Sequence, residues 1–211
     1  MNEHRETLRA AYDFDAERRN TNTLEGWRVE VIDDFLDRLE PGSSILELGA
    51  GAGQAATYVA HKGYRVTAMD LSPVNVEYAL ARGIDARVGD FTDPGFHVGF
   101  FDGVFALNSI LHVKKELFAE VLEVIRRSMR QGGIALLVVW GGFNYQGTLD
   151  DEWTYPPRFF AFYSDEDFAA LPTPGFKRLA CEFRRDDLEG EMHPQILLSL
   201  IHISEPTIPK R

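Results

Sequence analysis

The stretch Ile45-Leu46-Glu47-Leu48-Gly49-Ala50-Gly51-Ala52-Gly53-Gln54 sets three glycines at alternate positions directly after a short apolar run. Glycine lets a backbone approach a ligand closely and adopt φ angles that a Cβ forbids, so a turn of this kind is suited to hold a small molecule. A tight strand-to-helix turn that binds nothing uses the same residues. A second acid, Asp70, follows about 20 residues on, where a carboxylate can accept both hydroxyls of a ribose. These two features together fit either a nicotinamide dinucleotide or an adenosyl sulfonium. The spacing separates them: the dinucleotide fingerprint is G-x-G-x-x-G, but here the third glycine comes one position early and Gln54 stands where that fingerprint wants glycine. Glu47, two residues before the first glycine, is an awkward neighbour for a pyrophosphate and suits a positively charged ligand end.

For such residues to converge, each must leave the carboxyl end of a neighbouring strand. From Ser43 onward short apolar runs alternate with amphipathic stretches of helical period, the pattern of βαβ units and a parallel sheet. Strands are expected at 44–48, 65–69, 85–88, 99–107 and 134–140, with helices at 53–61, 73–81 and 115–129. Ser72-Pro73 is a cap followed by proline at the first helical position, and Gly63 and Gly83 sit where helix ends take a left-handed residue. Leu117, Val121, Leu122 and Ile125 form one apolar stripe of the third helix. Two helices precede the sheet: one at 3–19, and one opened by Asn22 with Glu25 three positions later, a capping-box pattern. The second presents Trp27, Val31, Ile32, Phe35, Leu36 and Leu39 on one face and stops at Pro41-Gly42. Past Trp140 the regularity lapses through a Gly- and aromatic-rich stretch, 141–163. A short helix capped by Ser164 and reaching about Leu171 follows, then strands at 176–185 and 191–200, joined by a linker, 186–190, short enough for an antiparallel hairpin.

With these elements in place, the sequence from about Trp27 to Leu200 resembles the class I S-adenosylmethionine-dependent methyltransferases. Glu47, Gly49, Gly51 and Gly53 match their first motif, E/D-x-G-x-G-x-G. Asp70, in Ala68-Met69-Asp70-Leu71-Ser72, matches their ribose-binding acid, and Gly89-Asp90-Phe91 matches their acid after the third strand. Phe101-Asp102-Gly103-Val104-Phe105-Ala106-Leu107-Asn108-Ser109 is similar to the fourth motif, whose end lies beside the transferred methyl group. The resemblance implies an α/β fold, a Rossmann-like doubly wound seven-stranded sheet of order 3-2-1-4-5-7-6 with strand 7 antiparallel. It implies S-adenosyl-L-methionine as cofactor, bound by Glu47, Gly49, Ala50, Gly51, Gly53, Asp70, Leu71, Asp90, Phe91 and Leu107. Asp90 would accept from the adenine amino group, and Leu71 and Phe91 would sandwich the ring. It further implies N-terminal helices, residues 1–40, that fold as a lid over a methyltransferase domain, residues 41–200.

Methyl transfer from a sulfonium is an in-line displacement whose electrophile is already activated by its own charge. The protein's task is orientation and exclusion of water, worth up to roughly 7–11 kcal/mol for well-aligned reactants. A base helps only where the acceptor must lose a proton. His112, which follows the fourth strand at the carboxyl edge of the sheet, is the candidate catalytic base, with helix capping or packing as its alternative role. Asn108 and Ser109 either line the methyl-transfer end or satisfy backbone groups at the strand terminus. Of Tyr12, Trp27 and Arg28 in the lid helices, Arg28 either meets the cofactor carboxylate or points into solvent, and Trp27 suits the core. Trp153, Tyr155, Phe159, Phe160, Phe162 and Tyr163 either wall an apolar acceptor pocket or pin their own loop to the sheet.

At 211 residues, 45% hydrophobic and 26% charged, the chain suits a single water-facing domain, and it lacks the apolar run of about 18 residues that a membrane span needs. Residues 1–9 are polar and charged, without the apolar centre of a secretory leader. A lone cysteine, Cys181, reads as a packed thiol in a reducing, cytoplasmic setting. The net charge of -11 opposes binding to phosphate backbones, which excludes nucleic acid as the expected partner and leaves a small-molecule acceptor. His61, His97, His193 and His202 are scattered and suggest no metal site. Residues 199–211 depart from the family pattern and are similar to translated sequencing-adapter DNA, so a non-native tail is expected there. Two other functions share this sheet: a nicotinamide-dependent oxidoreductase, against which Gln54 and Asp90-Phe91 speak, and a non-catalytic adenosyl-ligand binder, which the intact fourth motif mildly disfavours.

Overall fold

The strand and helix alternation beginning at residue 43 builds one seven-stranded sheet, seen in a computed structural model that describes residues 2–91, 95, 98–149, 154–185 and 192–201. The expected linker 186–190, together with His97, Trp153, His202 and the tail from 202 onward, lies outside the described residues. Two helices lead, α1 (Asn2–Asn20) and α2 (Gly26–Leu36). Then come β1 (Ser44–Leu48), α3 (Gln54–His61), β2 (Arg65–Asp70), α4 (Pro73–Ala81), β3 (Asp85–Val88) and β4 (Phe101–Leu107). After 3-10 turns at Ile110–His112 and Lys115–Leu117 follow α5 (Phe118–Ser128), β5 (Met129–Gly141), β6 (Tyr145–Leu149), β7 (Arg158–Phe162), α6 (Asp165–Ala169), β8 (Phe176–Phe183) and β9 (His193–Ile201).

The sheet order is β3-β2-β1-β4-β5-β9-β8. Counting only its own strands this is 3-2-1-4-5-7-6, with β9 antiparallel to both β5 and β8, as expected. Every residue of β1 is buried, because a parallel central strand is covered on both faces. On one face Val121, Leu122 and Ile125 of α5 pack on Leu46, Val104 and Leu137; on the other Val31, Ile32, Phe35 and Leu36 of α2 pack on Ile45, Phe105 and Leu136. Gly103 makes room for the latter contact, since a Cβ there would come within 2.7 Å of the Phe35 ring and 2.8 Å of Leu39. Asp102 stands at the far end of β4 from the glycine turn. Its carboxylate accepts from Ser44 N (2.8 Å) and pairs with Arg130 (2.7 Å), tying together β1, β4 and β5.

The structure corrects several expected boundaries. Helix α2 starts at Gly26, with Glu25 as a cap residue that makes no side-chain capping bond, so the Asn22–Glu25 capping box does not form. Glu25 pairs instead with Arg28 at 2.8 Å. Ser72 and Ser164 do cap their helices, accepting from Asn75 N and Asp167 N. Helix α5 begins only at Phe118, which takes the buried place expected of Leu117. Within the stretch read as irregular, β6 and β7 form an antiparallel hairpin that sets Tyr145 opposite Phe162 and Thr148 opposite Phe159. Strand β9 continues to Ile201, so Ser199 of the suspected tail pairs with Ala135 inside the sheet. Among the described residues no helix is long and apolar enough to cross a membrane.

Candidate functional site

Parallel register brings the carboxyl ends of β1, β2, β3 and β4 to one edge of the sheet, where a cavity of about 300 Å³ opens. Glu47, Gly49, Ala50, Gly51, Asp70, Leu71, Asp90, Phe91, Leu107 and His112 all line it. Of the residues expected at the cofactor, Gly53 alone is absent from the wall. Its place is a helix contact: its φ of 85° is left-handed, and a Cβ there would come within 2.9 Å of the Ala79 side chain on α4. The third glycine of the motif therefore serves the packing of α3 against α4.

The other two glycines differ in what they meet. Gly49 (φ 72°) and Ala50 donate through their backbone N–H to Met69 O at 2.7 and 3.0 Å, and a Cβ on Gly49 would overlap Ser109. Gly51 (φ 55°) has nothing within 4 Å of where its Cβ would stand, so the turn presents bare backbone to the cavity there. Its N–H donates to Asp70 Oδ2 at 2.7 Å, while Asp70 Oδ1 accepts from Ser72 N (2.9 Å) and Asn75 Nδ2 (3.3 Å). Burial raises the Asp70 pKa, and the bonds from Ser72, Gly51 and Asn75 oppose the rise.

Among the described residues, Glu47, Asn75 and Asn108 on this wall each carry a buried side-chain atom without a hydrogen-bond partner, Oδ1 in the case of Asn75. Glu47 is 3% exposed with Oε2 unbonded, and its pKa is raised from 4.5 to about 8, chiefly by burial and further by the Asp70 charge. Asn108, at the end of β4, holds a left-handed φ of 56° and leaves both its amide nitrogen and its amide oxygen buried and unbonded. A left-handed asparagine at a cavity wall with unmet hydrogen-bonding capacity is a place where a ligand could bond. Its neighbour Ser109 takes the backbone role instead, donating to Leu48 O at 2.6 Å.

The opposite wall comes from the N-terminal helices: His4, Arg5, Leu8, Tyr12 and Arg19 of α1, the segment 22–24, and Arg28 of α2. Arg5 pairs with Asp90 at 2.7 Å. Helix α1 is held down by Asp13 accepting from Ser72 Oγ (2.5 Å), by Gln54 donating to Arg19 O (2.8 Å) and by Arg82 donating to Asn20 O (2.9 Å). Sequence reasoning missed most of this wall, although Arg5, Leu8, Tyr12 and Arg19 recur at helical spacing on one face. Trp27 lies elsewhere, edge-on to Trp140 with centroids 6.2 Å apart. None of Tyr155, Phe159, Phe160, Phe162 and Tyr163 lines the cavity, which favours the packing alternative for that cluster. Phe160 and Phe162 stack 5.2 Å apart, Tyr163 packs on Phe118 and Phe168, and Tyr155 is exposed.

His112 lies in the turn after β4, 4% exposed. Its Nδ1 is 2.7 Å from Phe159 O, its Nε2 is 2.5 Å from Tyr12 Oη, and its backbone carbonyl accepts from His4 Nε2 at 3.2 Å. Burial lowers its pKa from 6.5 to about 3, and the charges of Arg158, Arg19 and His4 act in the same direction. The unfolded chain thus takes up a proton on His112 between pH 6.5 and 3 that the fold does not. The stability contributed by this group is present above 6.5 and is lost as pH falls through that interval. A His112→Asn variant is expected to show a shallower fall of Tm between those pH values than wild type; parallel curves would contradict the neutral, buried state.

Residues 46–137 match the model of a family described as a methyltransferase domain. The chain is 33% identical over 114 residues to sarcosine/dimethylglycine N-methyltransferase of Halorhodospira halochloris, covering 50% of this chain and 40% of that protein. It is 30% identical over 153 residues to 2-methyl-6-phytyl-1,4-hydroquinone methyltransferase of Synechocystis sp., covering 64% of this chain and 46% of that protein. The chain thus spans less than half the length of either relative. In fold it is similar to Burkholderia thailandensis 1,6-didemethyltoxoflavin-N1-methyltransferase, solved with 1,6-didemethyltoxoflavin and S-adenosylhomocysteine bound. The TM-score is 0.73 at 20% identity, over 95% of this chain and 89% of that one.

Proposed function

We propose that the chain, whose residues 46–137 match a methyltransferase-domain family, is a class I methyltransferase that transfers the methyl group of S-adenosylmethionine to a small-molecule acceptor. The observation that carries this reading is convergence: Gly51, Asp70 and Asp90, from three different strand ends, face one cavity. The residues present fit the cofactor. Bare backbone at Gly51 leaves room for a close approach, and Asp70, 9% exposed, suits ribose hydroxyls. The unbonded Glu47 oxygen and Asn108 amide offer an acceptor and a donor–acceptor pair to the ligand's amino-acid end. In this reading Leu71 and Phe91 flank the adenine beside Asp90, and α1 with the segment 22–24 acts as a lid that excludes water.

When bound, S-adenosylmethionine supplies an electrophilic methyl group on a positively charged sulfur. The chain's part is to orient that group, keep water away and accept a proton where the acceptor must lose one. A nicotinamide dinucleotide would bring phosphates towards the buried carboxyl of Glu47, a poor environment for added negative charge. The net charge of -11 favours a small acceptor over nucleic acid, and the lone Cys181 fits a cytoplasmic location.

Calorimetry with S-adenosylmethionine, S-adenosylhomocysteine and NADH tests the assignment. Binding of the first two is expected, and binding of NADH alone would overturn it. Asp70→Ala is expected to weaken S-adenosylhomocysteine at least tenfold, since a hydrogen bond to a charged group contributes roughly 1.5–3 kcal/mol. It should also lower Tm, because Gly51 N and Ser72 N lose their acceptor. Unchanged affinity in a folded variant would remove Asp70 from the site.

A further inference from the structure

Tyr12 and His112 both line the cavity, and they meet across it from opposite sides, one on the lid helix α1 and one in the turn after β4. Their hydrogen bonds define a direction. Phe159 O has no hydrogen to give, so the 2.7 Å contact makes Nδ1 of His112 the donor. The neutral ring then carries its lone pair on Nε2, and the Tyr12 hydroxyl, 2.5 Å away, donates to it. Arg158 Nη1 donates to Tyr12 Oη at 3.3 Å, which leaves the second lone pair of that oxygen for another hydrogen. Negative charge developing on Oη would find two guanidinium groups nearby, Arg158 at 5.4 Å and Arg19 at 5.0 Å from the tyrosine ring centre.

We propose that Tyr12 and His112 form a proton relay serving an acceptor whose receiving oxygen or nitrogen carries both a lone pair and a hydrogen, which makes the substrate a hydroxyl compound or a primary or secondary amine rather than a thioether or an aprotic ring nitrogen. The inference rests on the methyl-transfer reading of the cavity. As the acceptor's lone pair forms its bond to the methyl carbon, the methyl–sulfur bond breaks and its electron pair stays on sulfur. The acceptor's proton passes to Tyr12 Oη while the tyrosine's own proton passes to His112 Nε2. The resulting imidazolium is faced by His4 and Arg19 from α1 and by Arg158 from β7, all cationic or able to become so. Its proton is therefore not retained and returns through Tyr12 to solvent once the product has left.

The first test needs no acceptor. Nitrogen-15 NMR of the histidine rings in the S-adenosylhomocysteine complex at neutral pH is expected to show His112 protonated on Nδ1 alone. Protonation on Nε2 would overturn the relay, because that atom could then receive nothing. The second test compares wild type, Tyr12→Phe and His112→Asn, the latter keeping a donor for Phe159 O but no Nε2. Transfer of labelled methyl from S-adenosylmethionine is measured with phenol, catechol and sarcosine as protic probes, and with dimethyl sulfide and nicotinamide as aprotic ones.

Each variant is expected to lower kcat on a protic probe by about 100-fold or more. Each should bind S-adenosylhomocysteine within about threefold of wild type, and the double variant should be no slower than the slower single one. Unchanged kcat would overturn the relay. So would turnover of the aprotic probes alone, or loss of S-adenosylhomocysteine affinity in step with kcat, which would make the Tyr12–His112 bond a fastening for α1. Should wild type turn over none of the probes, the NMR result decides. Wild type that fails to bind S-adenosylhomocysteine at all would instead refute the cofactor assignment.

Discussion

Replacing Gly49 by alanine is expected to lower Tm by roughly 10 °C and to abolish S-adenosylhomocysteine binding, while alanine at Gly51, two residues on, should lower Tm by roughly half as much and still impair binding. Both positions hold a left-handed φ, 72° and 55°, which costs a residue with a Cβ roughly 1–2 kcal/mol. At Gly49 the new methyl group would also overlap Ser109, whose hydroxyl donates to Leu48 O at 2.6 Å inside the core. Pushing that serine aside leaves a buried carbonyl unsatisfied, at about 1–3 kcal/mol more. For a chain of this size each kcal/mol moves Tm by roughly 2–4 °C. At Gly51 a methyl group meets no protein atom within 4 Å and projects towards the space assigned to the ligand. Thermal scanning with calorimetric titration separates the two effects. Equal loss of stability in both variants, or full binding by Gly51→Ala, would show that the turn is only a structural corner.

The sheet and the strand-end wall of the cavity were legible in the sequence because their signals are local. A central parallel strand is buried on both faces and shows as a short apolar run, as Ile45, Leu46 and Leu48 of β1 do, and the acids expected at a nucleotide stand where strands end, as Asp70 and Asp90 do. The opposite wall is harder to read. Helix α1 turns Arg5, Tyr12 and Arg19 towards the cavity, so the face that meets the site is itself polar, and no apolar stripe announces which side is covered. Their roles depend on partners about 60 to 150 residues away, such as Asp90 for Arg5, and His112 and Arg158 for Tyr12. The same reasoning explains Gly53: a motif match records that glycine is needed but not which neighbour requires it, and Ala79 of α4 is visible only in the fold. The β6–β7 hairpin was hidden because Gly147 and the bulky Phe159–Phe160 pair break the apolar–polar alternation that marks a half-buried strand.

Glu47 should make cofactor binding depend on pH. In the free protein its carboxyl is raised to about 8 against an ordinary 4.5, chiefly by burial. The fold therefore holds a proton at neutral pH that the unfolded chain has released. The contribution of this group to stability is fully present below 4.5 and is lost as pH rises through 8. Glu47→Gln, which cannot ionise, is expected to remove that loss and to raise Tm at about pH 8 and above relative to wild type. Binding runs the other way. A ligand ammonium beside the carboxylate favours the ionised form, so wild type should release a proton on taking up S-adenosylhomocysteine, and its affinity should climb as pH rises from about 5 to 7, where the ligand's own amino group stays protonated. Glu47→Gln should lose the slope and bind roughly 10- to 100-fold more weakly near pH 7, the equivalent of about 1.5–3 kcal/mol for a charge-assisted bond. Titrations in buffers of different ionisation enthalpy would count the released proton directly. A pH-independent affinity in wild type, with no proton released, would mean that Glu47 faces something other than the cationic end of the cofactor, and the orientation assigned to the ligand would have to be reversed.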